Sequence, residues 1–174
     1  MKTILCLWML CCGSMMSAAE LLAVDGTAFN GKACSLEAPE GWQRRERMMG
    51  SYFVLINPQM GAEDGFAENL NVVLENVKAG IQGPEYRAAT IQGLKMALKA
   101  DILEEESLQL NGIPAERIRY SFNMGGRELD NDLYLIVKGN AAYAVTLSMM
   151  KGKSREENIK ELTRIVNTFT ISEE

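Results

Sequence analysis

Leu133-Tyr134-Leu135-Ile136-Val137, then Lys138-Gly139-Asn140, then Ala141-Ala142-Tyr143-Ala144-Val145-Thr146-Leu147-Ser148-Met149 make two apolar runs around a short polar break. Gly139-Asn140 suits the positive φ angles of a two-residue hairpin turn, so the runs read as paired antiparallel strands. An antiparallel strand with one wet face alternates apolar with polar side chains; neither run does, which implies cover on both faces. The expected fold is therefore α+β, an antiparallel β-sheet sandwiched between helices in a three-layer α/β/α arrangement. Leu135, Val137, Ala142 and Ala144 are expected beneath one helix, the alanines allowing close approach. Ile136 and Tyr143 are expected to be buried on the other face.

Upstream of the hairpin, Ile118, Tyr120, Phe122 and Met124 alternate with Arg117, Arg119, Ser121 and Asn123, and Gly125-Gly126 turns the chain into the strand that starts at Arg127. Residues 32–37, 51–56 and 69–77 also read as strands, the last with Leu70, Val72 and Leu74 on one face. Pro39 and Gly41 close the first of these and deliver Trp42 at a fixed point. Gly83-Pro84 opens a helix, because proline in the first turn loses only an unpaired donor. Ile91, Leu94, Leu98 and Ile102 follow at helical spacing as a buried stripe. Glu104-Glu105-Glu106 reads as an exposed crossing into a short strand at 107–110, and Asn111-Gly112 as a turn. Ser154 and Glu157 form a capping box for a last helix whose apolar face is Ile159, Leu162, Ile165, Val166 and Phe169. Arg44, Arg45 and Arg47, interrupted by Glu46, read as a solvated face. The loop at 59–67, with Glu63-Asp64, lacks the alternating oxygen ligands of a calcium loop.

Length and composition bound the answer. A chain of 174 residues, 47 % hydrophobic and 24 % charged, is expected to form one domain of ordinary globular type. Lys2, the apolar residues 4–12 and Ser17-Ala18-Ala19 have the three parts of a secretory signal, and that apolar core is shorter than the roughly 20 residues a spanning helix needs. The expected division is a signal peptide at 1–19, a lead-in at 20–31 and a single domain at 32–174, exported to the periplasm or secreted. Cys11 and Cys12 are the places where a lipid anchor would attach, but Leu10 and Cys11 stand before them where lipoproteins usually carry a small residue. Cleavage would leave Cys34 as the one cysteine, which cannot form an internal disulfide.

The net charge of −5 argues against a nucleic-acid surface, which needs clustered Lys and Arg. The absence of histidine removes the commonest general base and metal ligand. No glycine-rich phosphate loop, Gly-x-Ser-x-Gly elbow or Cys/His metal spacing is present, so no catalytic residue, cofactor or metal is expected. Cys34, within an expected strand and without a histidine to activate it, reads as a buried bystander.

One constellation emerges from turn arithmetic. If Gly125-Gly126 is a two-residue turn, Met124 faces Arg127, Ser121 faces Asp130, Arg119 faces Asp132 and Arg117 faces Tyr134. Arg117, Arg119, Asp130 and Asp132 then make a polar patch at the sheet margin. It reads as a strand-face salt bridge worth roughly 0.2–1 kcal/mol, or as a patch that orients a ligand. A carboxylate enzyme would need Asp130 with Asp132, or Glu63-Asp64, held in a perturbed protonation state.

Ser35-Leu36-Glu37-Ala38-Pro39-Glu40-Gly41-Trp42 carries a Pro-x-Gly-Trp segment after the first strand. An Asn-led strand follows at residues 69–74, then Glu85-Tyr86 on a helix, and Asn111-Gly112-Ile113-Pro114-Ala115 ahead of the long strands. The last helix ends in an apolar segment at 165–171. In these features the chain resembles the PsbP-like and DcrB-like group of exported proteins across nearly all of residues 32–174. The resemblance implies an antiparallel sheet between helices and no catalytic residue. It implies binding roles: an extrinsic photosystem II subunit, envelope proteins, and cytoplasmic chaperones that shield hydrophobic helices of secreted toxins, from which the signal-like start departs. The expectation is an exported, non-enzymatic binding or accessory domain, monomer or weak dimer, that docks an envelope protein or a small ligand at the sheet margin. It would bind no nucleic acid and have no integral membrane span after cleavage. The alternatives are a carboxylate-based envelope hydrolase, a chaperone-like protein shielding hydrophobic segments, and a lipid-anchored structural component of the envelope.

Overall fold

The computed structural model describes residues 20–23, 33–46, 48, 51–57, 65–152 and 156–172. The signal-like segment with Cys11 and Cys12, Arg47, Glu63-Asp64 and Ser154 of the expected capping box lie outside the described residues. The elements run β1 (Glu20–Ala23), β2 (Ala33–Ala38), β3 (Gln43–Glu46), β4 (Phe53–Ile56), β5 (Asn69–Asn76), α1 (Gly83–Leu98), β6 (Asp101–Leu110), β7 (Ile113–Met124), β8 (Arg127–Lys138), β9 (Ala141–Met150), α2 (Glu156–Val166) and β10 (Thr170–Ser172). Seven strands form one sheet in the order β3-β4-β5-β9-β8-β7-β6, and three form a second in the order β1-β2-β10. Every strand pair is antiparallel.

The β8–β9 hairpin lies inside the large sheet, with β9 between β8 and β5. Its turn is made differently from the expectation: Gly139 alone takes a positive φ, 66°, with Asn140 on the ordinary side, the pattern of a II′ turn. Gly125 and Gly126, at φ 61° and 87°, are the pair with two positive angles. The hairpin is covered on two faces. Leu133 and Leu135 pack with Ile118, Tyr120 and Ile91, and Leu94 and Ala144 close around them. Ile136 and Tyr143 point the other way, into a larger cluster with Leu36 of β2 and Leu162, Ile165, Val166 and Phe169 around α2.

Two expectations about this hairpin need correction. The cluster that holds Ile136 and Tyr143 takes in residues of α2 and of strand β2 in the small sheet, where helices alone were expected. The double cover also stops partway along β9: from Ala144 onward Thr146 and Ser148 are half-buried while Val145 and Leu147 are fully buried. The cause is where α1 lies. It leans on β6, β7 and β8, and among the described residues one face of the β5–β9 half of the sheet has no helix. Val137, beside the turn, is likewise half-buried rather than buried.

The boundaries of α1 and β6 also differ. The helix ends at Leu98 because Lys99 takes the left-handed conformation (φ 53°) and its N–H bonds back to Leu94 O. Ile102 therefore belongs to β6, opposite Tyr120, and a register shift between Ile102 and Glu104 leaves Leu103 out of the ladder. Leu98 stands at the surface, 37 % exposed. Glu104-Glu105-Glu106 is strand and not a crossing. An edge strand tolerates this run, since charge there discourages pairing with another chain. Arginines opposite it supply counter-charges: Arg119 for Glu104, Arg117 for Glu106 and Arg87 for Glu105. Strand β3 was unforeseen, being a Gln-Arg-Arg-Glu edge strand with no apolar alternation, whose Arg44 lies 5.0 Å over the Phe53 ring. The lead-in contains β1, paired to β2. In α2, Leu162, Ile165 and Val166 are buried but Ile159 is 38 % exposed.

Candidate functional site

The β7–β8 ladder has the register that turn arithmetic predicts: Met124 opposite Arg127, Ser121 opposite Asp130, Arg119 opposite Asp132 and Arg117 opposite Tyr134. Three of the four patch residues converge. Asp132 Oδ1 lies 2.9 Å from Arg117 Nη2 and accepts from Arg117 Nε at 3.1 Å, and it lies 3.3 Å from Arg119 Nε. Each arginine reaches a second carboxylate on β6, Arg117 Nη1 to Glu106 at 2.8 Å and Arg119 Nη1 to Glu104 at 3.1 Å. Arg117 also sits 5.9 Å over the Tyr134 ring. Burial works against its cation, but Glu106 and Asp132 outweigh burial and hold the guanidinium above its ordinary range.

These cations are committed to carboxylates of their own sheet, which is how a ladder braces a margin. Asp130 stands apart. Its Oδ1 is buried without a hydrogen-bond partner, and it shares a cleft of about 140 Å³ with Arg119, Asp132, Met149 and Ile159. Among the described residues, no group of three or more Cys, Asp or Glu is placed to hold a metal ion. Cys34 is 1 % exposed. Burial pushes its thiol up to about 12 against the opposing pull of Arg44 and a backbone hydrogen bond. A thiol so raised is not a nucleophile near neutral pH.

The uncovered half of the sheet forms a second site that the sequence reading missed. Across the face of β5, β9, β8 and β7, beside the last residue of α1, lies a cleft of about 360 Å³, adjoined by a more open one of about 510 Å³ that reaches under the helix to Leu94, Leu133 and Leu135. Val73, Leu98, Tyr120 and Thr146 belong to both. The polar side chains come from ladder positions on one face. Asn69 faces Ser148, which in turn faces Asn131, and Asn71 faces Thr146.

Ser148 Oγ donates to Asn131 Oδ1 at 2.8 Å, while Asn131 Nδ2 has no partner in a side chain only 4 % exposed. A buried donor left unmade costs about 1–3 kcal/mol, so its presence calls for an explanation. Tyr120 is the one titratable residue among the described residues that line the 360 Å³ cleft, and burial pushes its phenol up to about 12, so that part of the lining is neutral at physiological pH. A sequence signal existed: Asn69 and Asn71 alternate with Leu70 and Val72, and Thr146 and Ser148 with Val145 and Leu147. What joins the two sets is the β5–β9 pairing, which no turn count supplies.

No family model and no curated protein matches the sequence. Solved structures do match. Cyanobacterial PsbP (CyanoP) from Synechocystis sp. PCC 6803 superposes with a TM-score of 0.58 at 17 % identity, covering 92 % of this chain and 97 % of that one. LpqN, involved in cell envelope biogenesis of Mycobacterium tuberculosis, superposes with a TM-score of 0.61 at 15 % identity, covering 88 % of this chain and 91 % of that one. A protein from Bacteroides thetaiotaomicron VPI-5482 matches with a TM-score of 0.51 at 20 % identity over 81 % of this chain; the match spans 46 % of that protein's length. At such identities the likeness is one of fold, and at that level it bears out the PsbP-like resemblance.

Proposed function

We propose that this chain is an exported, non-enzymatic binding or accessory module of the cell envelope, and that its ligand docks in the groove beside α1. The observation that carries the reading is the groove itself: a concave cleft of about 360 Å³ whose described lining is uncharged and holds one buried amide donor with no partner among the described residues. Ligand sites are typically clefts of about 300–1,000 Å³, mostly apolar, with a few placed polar groups. Catalysis at neutral pH generally needs a group that exchanges a proton near pH 7, and Tyr120, held protonated by burial, is not such a group. In this reading the large sheet is the middle of three layers, α1 and α2 lie on opposite sides, and the Arg117–Arg119–Asp132 ladder braces the margin.

The envelope address draws on the signal-like first 19 residues and on the likeness to LpqN. Among the described residues no helix is long and apolar enough to cross a membrane. Native mass spectrometry of protein purified from envelope extract tests the reading. A co-purifying ligand should be present with the parent chain and lost with Thr146→Trp, which fills the groove. N-terminal sequencing should return Glu20 as the first residue; an acylated cysteine or Met1 would remove the soluble exported form. The hydrolase reading draws on the unpartnered Oδ1 of Asp130 beside Asp132. Turnover of an esterase, phosphatase or glycosidase substrate, abolished by Asp132→Asn, would overturn the binding reading in its favour.

A further inference from the structure

Resting on the binding reading, the groove also specifies the chemistry of its occupant. Among the described residues, fifteen line the 360 Å³ cleft and none of those carries a formal charge, although 24 % of the chain is charged. A charged ligand would lose its hydration there without gaining a counter-ion. The net charge of −5 further disfavours an anion. The groove does offer hydrogen bonds. Asn131 Nδ2 is a buried donor without a partner among the described residues. Asn71 and Thr146 are half-buried cross-strand neighbours, and neither side chain has a partner among the described residues. Next to these polar groups the adjoining cleft offers Val73, Leu94, Leu98, Leu133 and Leu135 under the helix, and its one described charge, Glu75, is bonded by Tyr86.

We propose that this groove binds a small uncharged amphiphile, with an amide, ester or hydroxyl oxygen set among Asn71, Asn131 and Thr146 and an aliphatic tail lying under α1 along Leu94, Leu98 and Leu133. The site discriminates by charge: it accepts the neutral head and rejects the carboxylate of equal length. The polar end fixes orientation, because an oxygen placed there answers a donor that is otherwise unmade, while the tail replaces water on apolar walls. Met48 and Met124, 37 % and 40 % exposed, line the same cleft and are flexible enough to adjust to the ligand.

Isothermal titration calorimetry at pH 8 with octanamide and octanoate is the test. Octanamide should bind, and octanoate should bind at least about tenfold more weakly. Asn131→Leu keeps the branched skeleton and removes the unpartnered donor together with the Ser148 acceptor; it should weaken octanamide about tenfold in a variant that still melts cooperatively. Should Asn131→Leu fail to fold, Thr146→Val, isosteric and half-buried, carries the same test with a loss of octanamide affinity expected. Equal binding of octanoate, unchanged octanamide binding in the variant that folds, or no binding of either probe would each overturn the proposal. Those failures stay separate from the binding-module reading, which native mass spectrometry of the envelope-purified protein decides by itself.

Discussion

Asp132 is the residue on which the sheet margin depends, because one carboxylate oxygen serves two arginines. Asp132→Ala removes the hub, but Arg117 keeps Glu106 and Arg119 keeps Glu104. The expected loss is therefore about 1–2 kcal/mol in urea unfolding, less than the about 3–5 kcal/mol for breaking a fully buried pair. Ile136 is fully buried, and Ile136→Ala should cost about 2–5 kcal/mol by the same measurement. Burial of acidic protons gives a pH signature. Cys34 and Tyr120 ionise in the unfolded chain near 9.0 and 10.0, but near 12 in the folded one. Below about pH 9 both states hold these protons and stability does not depend on them. Between there and about 12 the unfolded chain releases protons that the folded chain keeps, so stability should fall as pH rises. Urea midpoints from pH 8 to 12, alongside tyrosinate absorbance, should show that fall, with Tyr120 and Tyr143, both pushed up to about 12 by burial, titrating late.

At the scale of elements, α1 is held less by its own apolar face than by a polar anchor. Only Ile91 of the helix is buried, while Arg87 meets the buried Glu116 at 2.6 Å and Ser107 donates to the same carboxylate at 2.7 Å. Tyr86 bonds Glu75 on the neighbouring strand. Arg87→Ala leaves the Glu116 charge with one neutral partner, so a loss of about 3 kcal/mol is expected. Faster amide exchange confined to 83–98 would show that α1 is what loosens. The sequence revealed the long meander well, because Gly125-Gly126, Asn111-Gly112 and Gly139 fix registers by counting, and every β7–β8 pair followed. It revealed poorly whatever depends on distant chain. The helix end at Lys99 has no glycine to mark it, and the charged strands β3 and β6 hide apolar periodicity. The groove combines residues near 70 with residues near 146. The register that brings Arg117, Arg119 and Asp132 together was legible because it is local; the second site was not, because its halves meet only in the folded sheet.

At the scale of the whole molecule, two non-local pairings close the structure. β5 joins β9, and β10 joins β2, where Ser35 and Thr170 hydroxyls meet at 2.7 Å. A chain truncated after residue 140 lacks the strand that links both halves of the large sheet, and should show no cooperative urea transition and no fixed near-ultraviolet signal. The central place of β9 also has a consequence in time. It is the last of the seven strands to be synthesised, and ribosomes add roughly 5–20 residues per second. The edge of β5 therefore waits roughly 4–14 s for its partner, the span between residues 69 and 141 at that pace. During that interval the nascent chain offers an unpaired apolar strand to anything that binds one. A holdase gains a window in which this chain cannot yet fold against it.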